Sequence, residues 1–433
     1  VVGAAGAGGA GSYDNGANGW AGQVTLTYTT VTTPYANAVR FLLHVPSTGG
    51  VNGAVYCRFT TAGTIATVDV IYGTGGTLQV IGYNASHVAQ FTSTAAGSYN
   101  GVPVIVSVEL TPSGSSIAWA LKTILPGTGM SPTTLASGTV ASSSIGNVST
   151  VLGNPGGTET GAVSAGGYIV QGVVTSLSDL ATAASGYNGE YAADRFTRLC
   201  TEFGIGYSLI GTNTDTPQMG PQQNDTLPNI LQSIEDFDRG QMFEARGFFG
   251  MTYRTRKNMQ NQSPVVTYNY TSGELAQPLQ PVADLQMTRN DVTVSRSGGS
   301  SARQYLATGT LSILTPPNGV GEYTYSLTAI AYADTQLSNC ALWIMTVGTV
   351  AGNRYPAVNI DMARNAAQGN FAVTAAMDIG DYFQIASPPS FAESATVKQL
   401  AFGFTEALNA FKRTMTINAV PEIPYEGGGL PTW

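Results

Sequence analysis

Thr67-Val68-Asp69-Val70-Ile71-Tyr72 runs into Gly73-Thr74-Gly75-Gly76 and resumes as Thr77-Leu78-Gln79-Val80-Ile81-Gly82-Tyr83. β-Branched and aromatic residues on both sides of a short Gly-rich break are the pattern of two strands and a turn. The pattern continues outward in both directions. Strand-like runs occupy 23–30, 38–45, 54–60, 87–91, 102–110 and 117–123. Ser47-Thr48-Gly49-Gly50 and Thr111-Pro112-Ser113-Gly114 punctuate them. Short strands at this spacing predict a β-sandwich over residues 23–175. The stretch 126–167 is looser, with further strands expected near Thr150 and over 168–175. Residues 1–22 read as a Gly/Ala-rich linker or loop.

Composition narrows the function. The 433 residues include only 10% charged side chains, and the net charge is −8. No Lys/Arg-rich run is present, so sequence recognition of nucleic acid is not expected. No run of eighteen apolar residues occurs, so no helical membrane span is expected, and no secretory signal pattern opens the sequence. Charge is unevenly distributed. Residues 1–180 hold three basic side chains (Arg40, Arg58, Lys122) and five acidic ones; the other 253 hold 15 and 21. Such a shift marks a domain boundary.

Beyond it, helices enter. Phe196, Leu199, Cys200 and Phe203 follow the i, i+3, i+4, i+7 stripe of an amphipathic helix, with Gly204 as its C′ residue. A second helix starts at Asp225 or Thr226, buries Leu227, Ile230, Leu231, Ile234 and Phe237, and stops at Gly240. Strands are then expected at 241–246, 250–254, 265–270, 291–296, 302–311 and 323–331, a short helix at 334–345, strands at 355–361 and 381–386, and a final hairpin from 399–408 and 412–419. Residues 421–433, rich in Pro and Gly, read as an irregular arm.

The chemical motifs are weak. Gly6-Ala7-Gly8-Gly9-Ala10-Gly11 fits G-x-G-x-x-G but lacks the strand and helix that a dinucleotide site needs. Cys57, Cys200 and Cys340 form no CxxC pair and read as buried free thiols. His44 and His87 lie in strand-like runs and read as histidines satisfied within a sheet. No G-x-S-x-G elbow supports a triad. Glu109 is alone in its strand, whereas a sandwich glucanase needs paired carboxylates. Asp378 and Asp381 flank Gly380 and read as a turn, since a calcium loop needs more oxygen ligands. No enzyme is therefore expected, and no catalytic, metal or cofactor residue is named. Trp20, Tyr72, Tyr83, Tyr99 and Trp119 could stack on sugars if they face outward, or fill the sandwich core if they do not.

Several ordered blocks carry a resemblance. They are Tyr187-Asn188-Gly189-Glu190-Tyr191-Ala192-Ala193-Asp194-Arg195-Phe196 and its continuation to Ile205, Met219-Gly220-Pro221-Gln222, 247–256 with Tyr253-Arg254-Thr255-Arg256, and Asn290-Asp291-Val292-Thr293-Val294-Ser295-Arg296. Arg354-Tyr355-Pro356, Asp378-Ile379-Gly380-Asp381, and Phe404-Thr405-Glu406 with 415–421 complete the set. Over roughly 165–425 the chain resembles minor tail proteins of siphovirus-like tailed bacteriophages, of the tail-tip or baseplate-hub type, especially those of actinobacterial hosts. Residues 23–175 resemble a laminin-G or concanavalin-like sandwich. The resemblance implies a mainly β fold with a few helices. After the sandwich it places a first α+β hub domain at 176–300, a second β-rich one at 301–420 with small β-barrel-like subdomains, and the arm at 421–433. It further implies a virion tail-tip location and a homotrimeric ring. The implied partners are the distal tail protein, the tape measure protein and other tail-tip proteins. A carbohydrate-binding sandwich that recognises a host cell-surface glycan is the alternative.

Overall fold

The computed structural model describes residues 24–27, 36–282, 285–392, 394–410 and 412–426. Residues 1–22, with the Gly6–Gly11 tract and Trp20, lie outside them. The chain is mainly β with a few helices. It divides into two compact units, Val1–Gly186 and Tyr187–Trp433.

The first unit is a sandwich. Its strands are β1 (Val24–Thr27), β2 (Asn37–His44), β3 (Val55–Thr61), β4 (Thr67–Gly73), β5 (Thr77–Tyr83), β6 (Ala89–Thr92), β7 (Pro103–Ser113), β8 (Ser116–Ile124), β9 (Thr133–Val140), β10 (Val148–Gly153) and β11 (Ser164–Gln171). They build one sheet in the order β1-β10-β3-β4-β5-β6 and another in the order β11-β2-β7-β8-β9. The decisive pair, β4 and β5, is antiparallel from Thr67↔Tyr83 to Gly73↔Thr77. Gly75 and Gly76 close it, both at left-handed φ (81° and 84°), which a side chain would strain. Alternation sends Val68, Val70 and Tyr72 of β4 inward to meet Phe41 and Leu43 of β2 and Val106 and Val108 of β7 in one core. Each such side chain contributes about 1.5–3 kcal/mol by burial.

Polar side chains take the outer faces. All three basic residues of this unit are paired there. Arg58 binds Asp69 through two 2.7 Å hydrogen bonds. Lys122 donates to Glu109 at 2.6 Å, and Arg40 lies 3.6 Å from the same carboxylate. Arg40 is fully buried. It donates to Ser107 Oγ and to the Thr175 carbonyl oxygen, at 3.2 and 2.6 Å. Next to it, helix α1 (Leu177–Ala184) lays Leu177 and Ala181 on Ile105 and Ile124.

The second unit is α+β. Its helices are α2 (Ala192–Glu202), α3 (Leu227–Asp238), α4 (Thr335–Gly348), α5 (Met362–Ala367) and α6 (Phe371–Ala376). Its strands are β12 (Gly206–Ile210), β13 (Gln241–Glu244), β14 (Gly250–Arg254), β15 (Val266–Asn269), β16 (Asp291–Arg296), β17 (Ser301–Tyr305), β18 (Thr324–Ala329), β19 (Ala357–Asp361), β20 (Tyr382–Ala386), β21 (Thr396–Leu408) and β22 (Arg413–Pro421). The sheet orders are β12-β14-β13, β17-β16-β18 and β15-β20-β21-β22-β19. The apolar faces of α2, α3 and α4 share one core with the two small sheets. The five-stranded sheet has its own core under α5 and α6.

Several local expectations are corrected. His87 does not begin a strand. It sits in a turn at φ 58°, because the Asn84 side chain accepts the Ser86 and Val88 N–H groups and closes the β5–β6 connection. Strand β9 lies in the stretch that reads as loose; it is a sheet edge, half exposed along its length, and lacks a clean alternation. Phe203 belongs to no buried stripe: it is the C-cap of α2 and is 62% exposed. The left-handed stop of α3 is Arg239 (φ 63°), one residue before Gly240. The strand expected at 302–311 ends at Tyr305, and Asn290 holds the loop beyond through the Leu311 and Gly321 carbonyls. Helices α1, α5 and α6 carry no strong sequence signal because they are one to two turns long. The start of the expected arm is packed: Tyr425 is buried and meets Trp343 edge-on at 5.1 Å.

Removing one member of a buried ion pair is far more costly than removing an exposed one. Arg40→Ala should therefore destabilise the chain by roughly 3 kcal/mol. Arg58→Ala, at a side chain 32% exposed, should cost about 1 kcal/mol or less. Urea denaturation of the two variants, followed by circular dichroism, checks the order.

Candidate functional site

The blocks that stand apart in the sequence meet in the second unit through buried arginines. Arg195, on α2, is fully buried. It donates to Glu190 Oε2 at 3.1 Å and to the carbonyl oxygens of Tyr187 (3.2 Å) and Gly220 (2.7 Å). One turn on, Arg198 donates to both oxygens of Glu190 (2.7 and 3.0 Å) and to Gln222 Oε1 (2.6 Å), with its guanidinium 3.6 Å over the Tyr187 ring. Burial alone would push the Arg195 pKa down, and Glu190 opposes it. The guanidinium stays charged in any case.

A second bridge starts at the end of β14. Arg254 donates to Asp381 Oδ1 (2.7 Å) and the Ile379 carbonyl (3.0 Å), and to Gln262 and Asn258. The Asp378–Asp381 segment is a turn, as its sequence indicates, with the Asp378 N–H on Asp381 Oδ2 at 2.7 Å. Asp238, at the end of α3, accepts the Tyr253 hydroxyl at 2.6 Å and the Arg256 N–H at 3.2 Å. The Arg256 guanidinium lies 4.8 Å over Trp343.

These residues border a cleft of about 440 Å³. Arg239 and Arg289 reach it on either side of Tyr325, and Trp343, Phe402 and Tyr425 supply apolar wall. The segment that places Tyr425 has its own electrostatic device. Glu422 is buried and its Oε2 has no hydrogen-bond partner. Burial and the neighbouring Glu426 push its pKa up to about 7, against a smaller opposing effect of Lys398.

A third feature is apolar. Where β12 and β14 begin, Gly206 pairs with Gly250, and the Phe248 ring lies over both. Phe248 is 45% exposed, Tyr207 44%, and Phe249 is completely exposed; Phe203 stands three residues before Gly206. The aromatic cluster is held out by the Gly pair, since a Cβ at either glycine would strike Phe248 or backbone.

Other sequence candidates do not converge. His44 is exposed at the end of β2, while His87 stacks on Tyr83 at 4.2 Å on the other sheet. The three cysteines are buried free thiols. Burial pushes Cys340 up to about 11 and raises the other two as well, which removes thiolate reactivity. Tyr72 and Trp119 fill the sandwich core, and Tyr99 is half-buried against it. Among the candidate sugar platforms with described positions, Tyr83 faces outward on β5. Among the described residues no three His, Cys, Asp or Glu side chains gather as a metal set, and no helix is long and apolar enough to cross a membrane.

The mainly β, two-unit architecture was compared with known proteins. No protein-family model matches the chain, and no curated protein matches it. Among solved structures, the tail protein from Neisseria meningitidis MC58 is similar over 91% of this chain and 100% of its own, at 9% identity and TM-score 0.38. The Ruminococcus gnavus IT-sialidase CBM40, bound to α2,3 sialyllactose, is similar over 38% of this chain and 99% of its own, at 12% identity and TM-score 0.24. A heptameric SAP-like pentraxin from Limulus polyphemus covers 38% and 82%, at 10% identity and TM-score 0.20. Scores this low do not establish a common fold.

The Glu422 carboxyl generates a signed prediction. Its folded pKa lies above the ordinary carboxylate value, so the folded state holds the proton more tightly than the unfolded chain. Below the ordinary carboxylate range both states are protonated and no penalty exists. As pH rises through that range to about 7, stability is lost, and above it the loss is complete. Glu422→Gln should be more stable than the parent at alkaline pH and equal to it at acid pH, as read by thermal melting across the pH range.

Proposed function

We propose that the chain is a structural component of the tail tip of a tailed bacteriophage, a minor tail protein of hub type that acts without catalysis. The blocks that resemble this family support the reading, because they are the segments drawn together by Arg195, Arg198 and Arg254 rather than scattered loops. The observation that carries it is the exposed cluster of Phe203, Tyr207, Phe248 and Phe249. Concentrated exposed aromatic surface is characteristic of a protein interface. In this reading the cluster is covered in a homotrimeric ring or by neighbouring tail-tip proteins, among them the distal tail protein and the tape measure protein. The low charge content lowers the desolvation cost of such contacts.

The alternative, host-glycan binding by the sandwich, draws support from one feature: the Tyr83–His87 stack beside the Arg58–Asp69 pair on the outer face of the six-stranded sheet. It is compatible with the structural role if the sandwich is an adhesive decoration. Tyr83→Ala should abolish any glycan-array signal of the full chain while leaving its melting temperature nearly unchanged.

Two measurements test the main reading. Immunogold labelling of intact virions with antibody against residues 36–171 should mark the tail tip; label on the capsid or along the tube overturns it. Phe248→Ser with Phe249→Ser should shift the chain toward monomer in light scattering after size exclusion, and an unchanged mass would show that these rings do not hold the oligomer.

A further inference from the structure

We infer that the cleft walled by Arg239, Arg289, Tyr325, Trp343, Phe402 and Tyr425 is a docking site for an acidic polypeptide segment, an Asp or Glu side chain next to an apolar one. The argument starts from charge. Arg195, Arg198, Arg254, Arg296, Arg303 and Arg413 each have a carboxylate within 4 Å. Arg239 and Arg289 have none. Arg239 donates Nη2 to the Tyr325 hydroxyl at 3.3 Å, and its buried Nε–H has no partner. Arg289 sits 5.7 Å from the centre of the same ring and donates Nη1 only to the carbonyl oxygens of Gln286 and Thr288. Two permanently charged guanidiniums therefore flank one tyrosine at the wall of a cleft of about 440 Å³.

The cleft's own acids do not neutralise them. Glu235 accepts the Met242 N–H at 3.1 Å, and Asp236 accepts the Gln232 amide at 3.2 Å. Neither comes within ion-pair distance of Arg239 or Arg289. A guanidinium binds a carboxylate through paired, charge-assisted hydrogen bonds, and the unpartnered Nε–H of Arg239 is one half of such a fork. The remaining wall asks for an apolar neighbour: Met287 is exposed at the rim, while Phe402 and Val347 line the interior. Charge complementarity thus selects an acidic side chain, and the apolar wall selects a polypeptide over a small free anion.

The inference rests on the structural reading only in taking the occupant to be another protein. Virion labelling decides that reading, and the following experiment decides this one. The full chain is used to select from a pool of capped random hexapeptides, and recovered peptides are resynthesised with Glu and with Gln at the acidic position. Recovered sequences should be enriched in Asp or Glu beside an apolar residue. Glu→Gln in the peptide, or Arg289→Gln in the protein, should weaken binding by about tenfold or more, the scale of a charge-assisted hydrogen bond. Arg289→Gln removes no ion pair, and a thermal melt confirms its fold; the peptide substitution gives a second readout that needs no protein variant. No recovered peptide, recovery without acidic enrichment, or equal binding of the Glu and Gln peptides overturns the proposal.

Discussion

Arg195 lies on a helix with no surface exposed, and its hydrogen bonds reach a glutamate five residues back and a glycine carbonyl twenty-five residues ahead. An arginine cannot shed its proton to escape burial, so its charge must be met where it sits. That requirement orders much of the second unit. Glu190 has to face α2, Met219-Gly220-Pro221-Gln222 has to return beside it, and the helix has to present Arg195 and Arg198 on one side. Arg254 imposes the same demand on a longer scale, tying the end of β14 to the turn before β20. Each of these bridges fixes a register between segments that apolar packing alone would hold less specifically.

The sandwich obeys the same constraint with fewer charges. Its three basic residues are answered by two carboxylates on the outer faces, and the interior is left wholly to apolar side chains. Arg40 is the extreme case, because the chain that follows β11 lies over it and supplies the Thr175 oxygens. The sheet face therefore positions helix α1 through polar contacts as well as through Leu177 and Ala181. With its cations internally satisfied, the sandwich has little electrostatic pull on an anionic partner.

Against this background the unanswered groups carry information. Arg239 and Arg289 stand out because nearly every other well-placed guanidinium has its carboxylate. The exposed Phe248 and Phe249 stand out because the rest of the unit buries its aromatic rings. Both features sit on positions where the backbone is constrained, a left-handed helix end in one case and a close-packed glycine pair in the other. Surface features held so rigidly are suited to binding without a large ordering cost.

Much of the architecture was legible in the chain itself. Alternation around Gly73-Thr74-Gly75-Gly76 defines β4 and β5, and the 3.6-residue stripes define α2 and α3, because both patterns are local consequences of backbone geometry. The buried state of the cysteines and the turn at Asp378–Asp381 also follow from local chemistry. What local pattern could not decide was any property that depends on distant neighbours. Phe203 fits the apolar stripe of α2 yet faces outward, because the helix ends one residue too early to bury it. Strand β9 hides because an edge strand needs no alternation. Tyr72 and Trp119 could have been sugar platforms or core, and only sheet packing sends them inward. The pairing of Arg254 with Asp381, across 127 residues, and the absence of any carboxylate beside Arg239 are decided by tertiary structure, since ion pairing is set by proximity in space and not along the chain.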